Sequence, residues 1–159
     1  MSRPASQEGL LPDSPPPPDA RRRALALTLF ALGLLTVGTG VYFMVLRPPL
    51  LPEDVRFTEL ADGAANPSLL RWLSIVFRTW GGFMTSLGLC LLGQAGYFHT
   101  SRDLWLRVGT ALGVLFGFSS FLVSNIELRS DFLWFIALVF IVALASATLL
   151  LCGNRQRVR

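Results

Sequence analysis

The feature that most constrains this chain is its division into four long apolar blocks, at about 24–46, 79–98, 106–126 and 132–152. Each block is close to the roughly 20 residues that an α-helix needs to cross the hydrocarbon core of a bilayer. No aspartate or glutamate interrupts any of them, and only 15% of the chain is charged against 52% hydrophobic. The sequence therefore predicts an all-α, polytopic integral membrane protein with a four-helix transmembrane bundle.

The segments outside the four-span membrane domain, 24–152, are too short to form a separate soluble catalytic domain. Residues 1–23 are rich in proline and arginine and have few large apolar side chains, so we expect a disordered cytoplasmic tail. Residues 153–159 are expected to form a short basic cytoplasmic tail. The remaining long connection, 47–78, is predicted to be an outer loop.

The outer loop contains signals for helix starts. Pro52 is followed by two acidic residues, a pattern typical of a first helical turn, and it predicts a short amphipathic interfacial helix. Asn66 and Pro67 fit the N-cap and the first position of the second long helix. The apolar spacing after Pro67 predicts an amphipathic section on the outer surface, with a bend at Gly81–Gly82 before the helix crosses the membrane.

The distribution of arginine predicts the topology. All 14 basic residues are arginine, and nine of them fall on the inner side if the N-terminus is inside. Since basic residues near the spans favour the cytoplasmic side, we expect the cytoplasmic membrane, with both termini cytoplasmic. The arginines lie at the ends of the apolar blocks, so the high pI does not indicate nucleic-acid binding.

A glycine stripe marks the third span. Gly109, Gly113 and Gly117 recur at every fourth residue and present a flat helix face that lets another backbone approach closely. The sequence leaves open whether this helix-packing face meets helices of the same chain, a second copy in a homodimer, or another membrane protein. The lipid bilayer is the remaining partner.

An outer-side polar cluster is the candidate site. Its members are brought to the same side of the membrane by the predicted topology: Arg71, Arg78, Asn125, Glu127 and Asp131. One interpretation is a clamp that holds the outer loop in place, and the other is a vestibule that attracts anions. We favour the clamp.

The residues needed for chemistry are scarce. The chain has one histidine, His99, and two cysteines, Cys90 and Cys152, that are predicted to lie at different depths. These give no disulfide pair, haem ligand pair or metal site, so we predict no cofactor and no metal. No paired ionisable groups point to acid–base catalysis, and we predict that the protein is not an enzyme.

The run 46–54, Leu-Arg-Pro-Pro-Leu-Leu-Pro-Glu-Asp, precedes a helix rich in tryptophan and arginine. Over 24–152 this pattern resembles small bacterial four-span membrane proteins of uncharacterised activity. The resemblance implies four spans and carries no catalytic or binding residue. Two functions are then open: a non-enzymatic accessory or interaction protein of the membrane, or a small channel or transporter subunit working as an oligomer.

Overall fold

The computed structural model describes residues 20–59, 66–100 and 103–152, with only the backbone of His99 and Thr100. This part of the chain is helical and contains no β-strand. The first helix continues directly into one π-helical turn, Tyr42–Leu46. The helices are α1 (Ala20–Val41), α2 (Pro52–Thr58), α3 (Pro67–Thr100), α4 (Leu104–Glu127) and α5 (Leu133–Cys152).

Four of these helices are long and apolar enough to cross a membrane: α1 with its π-helical turn, α3, α4 and α5. Their outward faces carry large apolar side chains, among them Trp105, Phe116 and Phe83, which are 85%, 79% and 70% exposed. Such a surface is typical of a protein surrounded by lipid rather than water. The predicted all-α chain with four membrane-length helices is confirmed.

Several boundaries differ from the predicted ones. Helix α1 begins at Ala20, so the predicted tail at 1–23 loses its last residues to the helix, and the rest lies outside the described residues. The predicted tail at 153–159 also lies outside them. Helix α3 begins at Pro67, where the Asn66 side chain accepts the Ser68 N–H at 2.9 Å, as the N-cap signal predicts.

Helix α3 is longer than the span predicted at 79–98. Its 34 residues extend without interruption through Gly81–Gly82, where a bend was expected. At about 1.5 Å per residue the helix is well over the ~30 Å of a hydrocarbon core. The glycines do not interrupt the helix, and Gly81 has a packing role instead.

Close contact between α1 and α3 depends on two pairs of glycines. A Cβ added to Gly40 would lie 2.7 Å from the Gly81 carbonyl oxygen, and one added to Gly33 would lie 3.0 Å from the Gly88 carbonyl oxygen. Both helices therefore carry glycine at a seven-residue interval, and the antiparallel pairs face each other. No side chain fits between the two backbones there.

The four long helices pack in the order α3–α1–α5–α4. Helix α1 contacts both α3 and α5, and α5 contacts α4, whereas the backbones of α3 and α4 seldom come close. We call the end of the bundle that carries α2 the α2 end. There α1 ends, α3 begins and α4 turns into α5.

The core fills the half of the bundle opposite the α2 end. It contains the buried apolar residues of all four long helices: Leu25, Leu29, Leu32, Leu91, Ala95, Phe98, Ala111, Val114, Phe118, Val139, Ala143, Ala147 and Leu150. Burial of this set stabilises the helix arrangement on that side by close packing. The α2 half carries few of the fully buried side chains.

Polar contacts hold the ends of the helices together opposite the α2 end. The Arg107 guanidinium donates to the carbonyl oxygens of Leu150 and Leu149 at 3.1 and 3.3 Å, which satisfies acceptors in the last turn of α5. The Thr110 hydroxyl lies 2.6 Å from Gln94 Oε1 and joins α4 to α3. These contacts place the α3–α4 separation towards the α2 end.

Candidate functional site

The α2 half of the bundle contains a cleft of about 700 Å³. We call it the cleft. All four long helices, the π-helical turn and α2 contribute to it. Most of its lining is apolar or aromatic: Tyr42, Phe43, Leu51, Val76, Phe77, Trp80, Met84, Leu87, Phe118, Phe121, Leu128, Phe132, Phe135 and Ile136.

The cleft is open between α3 and α4, whose backbones seldom come close. Trp80 and Leu87 on the α3 side are 55% and 42% exposed, although both line the cleft. On the α4 side, Gly117 and Ser120 are also exposed. A molecule beside the bundle therefore reaches the cleft from the flank.

Arg47 stands at the polar end of the cleft, directly after the π-helical turn. Its Nη2 donates to Asp54 Oδ2 at 2.8 Å, and its Nη1 donates to the Pro48 carbonyl oxygen at 3.2 Å. Its Cζ lies 3.5 Å from the centre of the Phe77 ring and 5.4 Å from that of Phe43. With only 5% of the side chain exposed, this cation is held by a carboxylate and two aromatic faces.

Asp54 also fixes the start of α2. The same oxygen that binds Arg47 accepts the backbone N–H of Leu51 at 2.8 Å, which satisfies one free donor at the helix N-terminus. The ion pair therefore fastens the loop after α1 onto α3 and sets the position of α2. The neighbouring residue, Glu53, is directed into the bundle by that placement and is 2% exposed.

Glu53 joins α2 to the corner between α4 and α5. The Ser130 hydroxyl donates to Glu53 Oε1 at 3.4 Å, a long hydrogen bond, and accepts the Phe132 N–H at 3.3 Å. Both residues line the cleft. No arginine of the described chain lies within ion-pair distance of Glu53.

The other polar side chains of the cleft are mostly satisfied by their own helices. Four hydroxyls donate to carbonyl oxygens one turn earlier at 2.7–2.9 Å: Thr36, Thr39, Ser120 and Ser124. The Asn125 amide does the same to Phe121 at 2.8 Å. The Tyr42 hydroxyl differs, since it makes no hydrogen bond to any residue that the structure describes, and it is free to bind a ligand.

The predicted polar cluster is not assembled as expected. Arg71 and Arg78 are exposed on α3, and among the described residues neither forms an ion pair with Glu127 or Asp131. Asp131 instead accepts a hydrogen bond from Arg56 Nη2 of α2 at 2.8 Å. The turn between α4 and α5 thus contacts the segment between α1 and α3 through Arg56, not through Arg71 or Arg78 as predicted.

The remaining members of that cluster are divided between two surfaces. Asn125 lines the cleft, whereas Glu127 lies in an exposed polar hollow with Arg56, Arg129 and Asp131. The hydrogen bond and the charge of Asp131 raise the pKa of Arg56 above its ordinary value. Because both side chains are more than half exposed, solvent screens this pair.

The glycine stripe on α4 does not pack within the chain. A Cβ added to Gly109, Gly113 or Gly117 would meet nothing within 4 Å. Packing against helices of the same chain, one of the alternatives left open, therefore finds no support at these positions. A contact with a second copy or with another membrane protein stays a prediction. Gly117 additionally lines the cleft.

The residues that build the polar end were missed as a site by sequence reasoning. Arg47, Glu53 and Asp54 were assigned to a loop, and Ser130 was not included in the cluster. The available signal was the spacing: an arginine directly after a span, followed by Pro52 and two carboxylates, one of which reaches back to the arginine.

Within the described ranges, no group of three or more histidine, cysteine or acidic residues could hold a metal ion. Cys90 and Cys152 are free and exposed. No protein-family model, curated protein or solved structure matches the chain.

Proposed function

We propose that the protein is a non-enzymatic accessory protein of the cytoplasmic membrane that holds the chain of a lipid-like molecule in the cleft. One observation carries the proposal: a cleft of about 700 Å³ has an apolar body and charged side chains at one end only. Its volume is within the range of roughly 300–1,000 Å³ that is typical of small-molecule sites. Its shape and polarity match an apolar chain with a polar headgroup.

The membrane setting is part of the proposal. It is supported by the four apolar helices and by the large exposed side chains on their outer faces. The excess of arginine on the side of the chain termini favours a cytoplasmic location for both, which puts the α2 end on the outer side. In this orientation α2 is near the outer interface and the opening between α3 and α4 faces the outer leaflet.

An apolar space of this size needs an occupant. Protein interiors are packed as densely as organic crystals, and the opposite half of this bundle follows that rule. In the α2 half, the aromatic and aliphatic lining would lose its packing contacts if nothing filled the cleft. A single hydrocarbon chain entering between α3 and α4 restores those contacts without any change in the helix arrangement.

The alternative of a channel or transporter subunit gains less support. The packed core occupies the half opposite the α2 end, so the cleft offers no argument for a pore through a single copy. A path between several copies stays a prediction. A proton-coupling group is usually an aspartate or glutamate inside a membrane helix. Helices α3 and α5 contain neither residue, and α4 contains only Glu127 at its last position.

The test uses the fluorescence of Trp80, which lines the cleft. The other tryptophans, Trp72, Trp105 and Trp134, are exposed and are replaced by phenylalanine. The protein is reconstituted in phosphatidylcholine nanodiscs and titrated with a long-chain alcohol that carries bromine in its chain. Bromine quenches tryptophan only at close range, so occupation of the cleft gives quenching that saturates.

Two glycine variants make the result specific. A Cβ added at Gly117 or at Gly113 meets nothing within 4 Å, but only Gly117 lines the cleft. We expect Gly117→Leu to abolish saturable quenching and Gly113→Leu to retain it. Quenching that rises linearly with the probe concentration, equally in the protein with Trp80 alone and in both glycine variants, would mean simple partition into the bilayer. That result would overturn the proposal.

A further inference from the structure

We propose that the polar end of the cleft selects amphiphiles with a positively charged ammonium headgroup, with Glu53 as the residue that binds the charge. This inference rests on the proposed function and specifies the ligand class. It depends on three observations. Arg47 is paired with Asp54, the buried carboxylate of Glu53 has no ion-pair partner among the described residues, and aromatic side chains line the cleft.

The positive charge at the polar end, that of Arg47, is already neutralised by an ion pair. Arg47 is paired with Asp54 at 2.8 Å, and the Phe77 ring covers one face of its guanidinium at 3.5 Å. Only 5% of its side chain is exposed. An anionic headgroup would have to displace Asp54 to reach this arginine, and it would leave that carboxylate without its partner.

Glu53 leaves a negative charge in the lining without an ion-pair partner among the described residues, and Arg56 attracts it only across a longer distance. Arg47, Asp54 and Glu53 are the charged residues that line the cleft, one positive and two negative, so the formal balance is −1. Glu53 is 2% exposed, and its partner is the Ser130 hydroxyl at 3.4 Å. The next arginine on α2, Arg56, is exposed and hydrogen-bonded to Asp131 instead.

A carboxylate buried beside an apolar cleft favours a cationic occupant. Removing an ionised group from water is costly unless an opposite charge or several strong hydrogen bonds compensate for the loss of hydration. One long hydrogen bond from Ser130 and the N-terminal turn of the seven-residue α2 supply only part of this compensation. An ammonium group at the polar end of the cleft would bring the balance to neutral while its chain fills the apolar body.

The aromatic residues that line the cleft with Glu53 add a second attraction of the same sign. Tyr42, Phe43, Phe121 and Phe132 line the cleft together with Trp80. Aromatic faces attract ammonium groups, and the attraction rises as water is excluded. Carboxylate and aromatic lining therefore favour the same headgroup, and both disfavour an anion.

The experiment compares three probes that differ only in the headgroup. The same brominated chain carries a trimethylammonium group, a hydroxyl group or a sulfonate group, so each charge is fixed and independent of pH. Quenching of Trp80 is measured in nanodiscs of neutral phosphatidylcholine. We expect the ammonium probe to bind about tenfold more tightly than the alcohol, and the sulfonate probe to bind most weakly.

Two conservative variants locate the effect. Glu53→Gln keeps the size and the acceptor for the Ser130 hydroxyl but removes the charge, so the ammonium and alcohol probes should bind equally. Glu127→Gln removes one negative charge from the same end of the bundle outside the cleft, and it should retain the preference. Binding of the alcohol probe checks that both variants keep the cleft intact.

The outcomes separate this inference from the proposed function. Saturable binding of all three probes with equal affinities, or a preference for the sulfonate, would overturn the inference and leave the cleft as a chain-binding site. A preference that survives Glu53→Gln would also overturn it. Linear quenching by every probe would overturn the proposed function together with the inference.

Discussion

The Cζ atom of Arg47 lies 3.5 Å from the centre of the Phe77 ring, which ties the loop after α1 to α3. The same guanidinium binds Asp54, so one side chain holds α1, α2 and α3 together at the α2 end. This contact helps to hold α2 against the bundle, together with the Glu53–Ser130 and Arg56–Asp131 contacts.

Replacing Arg47 by alanine is expected to lower the free energy of unfolding by about 2–4 kcal/mol, because Asp54 is left mostly buried without its partner. The stability of Arg47→Lys should lie between those of the unmodified protein and Arg47→Ala, since lysine keeps the charge but cannot stack on the Phe77 ring in the same way. The measurement is thermal unfolding in detergent. Arg78→Ala is the control, and its effect should stay within about 0.5 kcal/mol. Equal losses in both alanine variants would contradict this role for Arg47.

The neighbouring glycines Gly81 and Gly82 should respond to the same substitution with opposite signs. A Cβ at Gly81 would overlap with the backbone of α1 around Gly40, whereas one at Gly82 meets nothing within 4 Å. We expect Gly81→Ala to destabilise the protein by about 1–3 kcal/mol through overpacking. Gly82→Ala should stabilise it by about 0.5–1 kcal/mol, since alanine is the better helix former. Melting curves in detergent decide the matter, and similar shifts for both would mean that α1 and α3 are not in close contact.

Arg129 occupies the left-handed conformation at the end of α4, with a φ of 52°. The Ser130 N–H reaches the Asn125 carbonyl oxygen at 3.0 Å and the Arg129 N–H reaches that of Ile126 at 3.1 Å, which is the Schellman arrangement. Glycine is the preferred residue at this position. Arg129→Gly is therefore expected to raise stability by up to about 1 kcal/mol, and Arg129→Val to lower it. A stabilising valine would show that the corner is not left-handed.

The Thr110–Gln94 contact at 2.6 Å should contribute a measurable coupling between α4 and α3. We expect about 0.5–1.5 kcal/mol from a double-mutant cycle of Thr110→Val and Gln94→Leu, as for other hydrogen bonds between membrane helices. Part of the threonine effect comes from its own helix, because the hydroxyl also reaches the Leu106 carbonyl oxygen at 2.7 Å. Additive single effects would mean that the two side chains do not interact.

The helices were predictable because their signals are local. Long apolar blocks, the Asn66–Pro67 start of α3 and the Pro52 start of α2 each depend on a few adjacent residues. The sequence did not predict which helix each helix face packs against. The stripe of Gly109, Gly113 and Gly117 looked like the best packing surface, yet the helices meet at glycines seven residues apart on α1 and α3.

The cleft could not be predicted from the sequence for a similar reason. It results from the separation of α3 and α4, and no single segment records how far apart two helices will lie. The choice of arginine also depends on geometry. Arg78 stands out in the sequence because in a straight second helix it would lie a few residues below the membrane interface, whereas Arg47 is buried by a loop that folds back over it. Sequence reasoning selected the end of the bundle that contains the cleft, but mostly other side chains there.

Under the proposed function, the opening between α3 and α4 makes the ligand concentration in the surrounding leaflet, rather than in water, the relevant one for the cleft. In a bilayer, a molecule that enters from the flank is never required to pass through water, and it arrives by diffusion within one leaflet. Occupancy then follows the mole fraction of the ligand among the surrounding lipids rather than its aqueous concentration. A weak site of this kind is filled whenever its ligand makes up a substantial share of the leaflet, and it empties when the membrane composition changes.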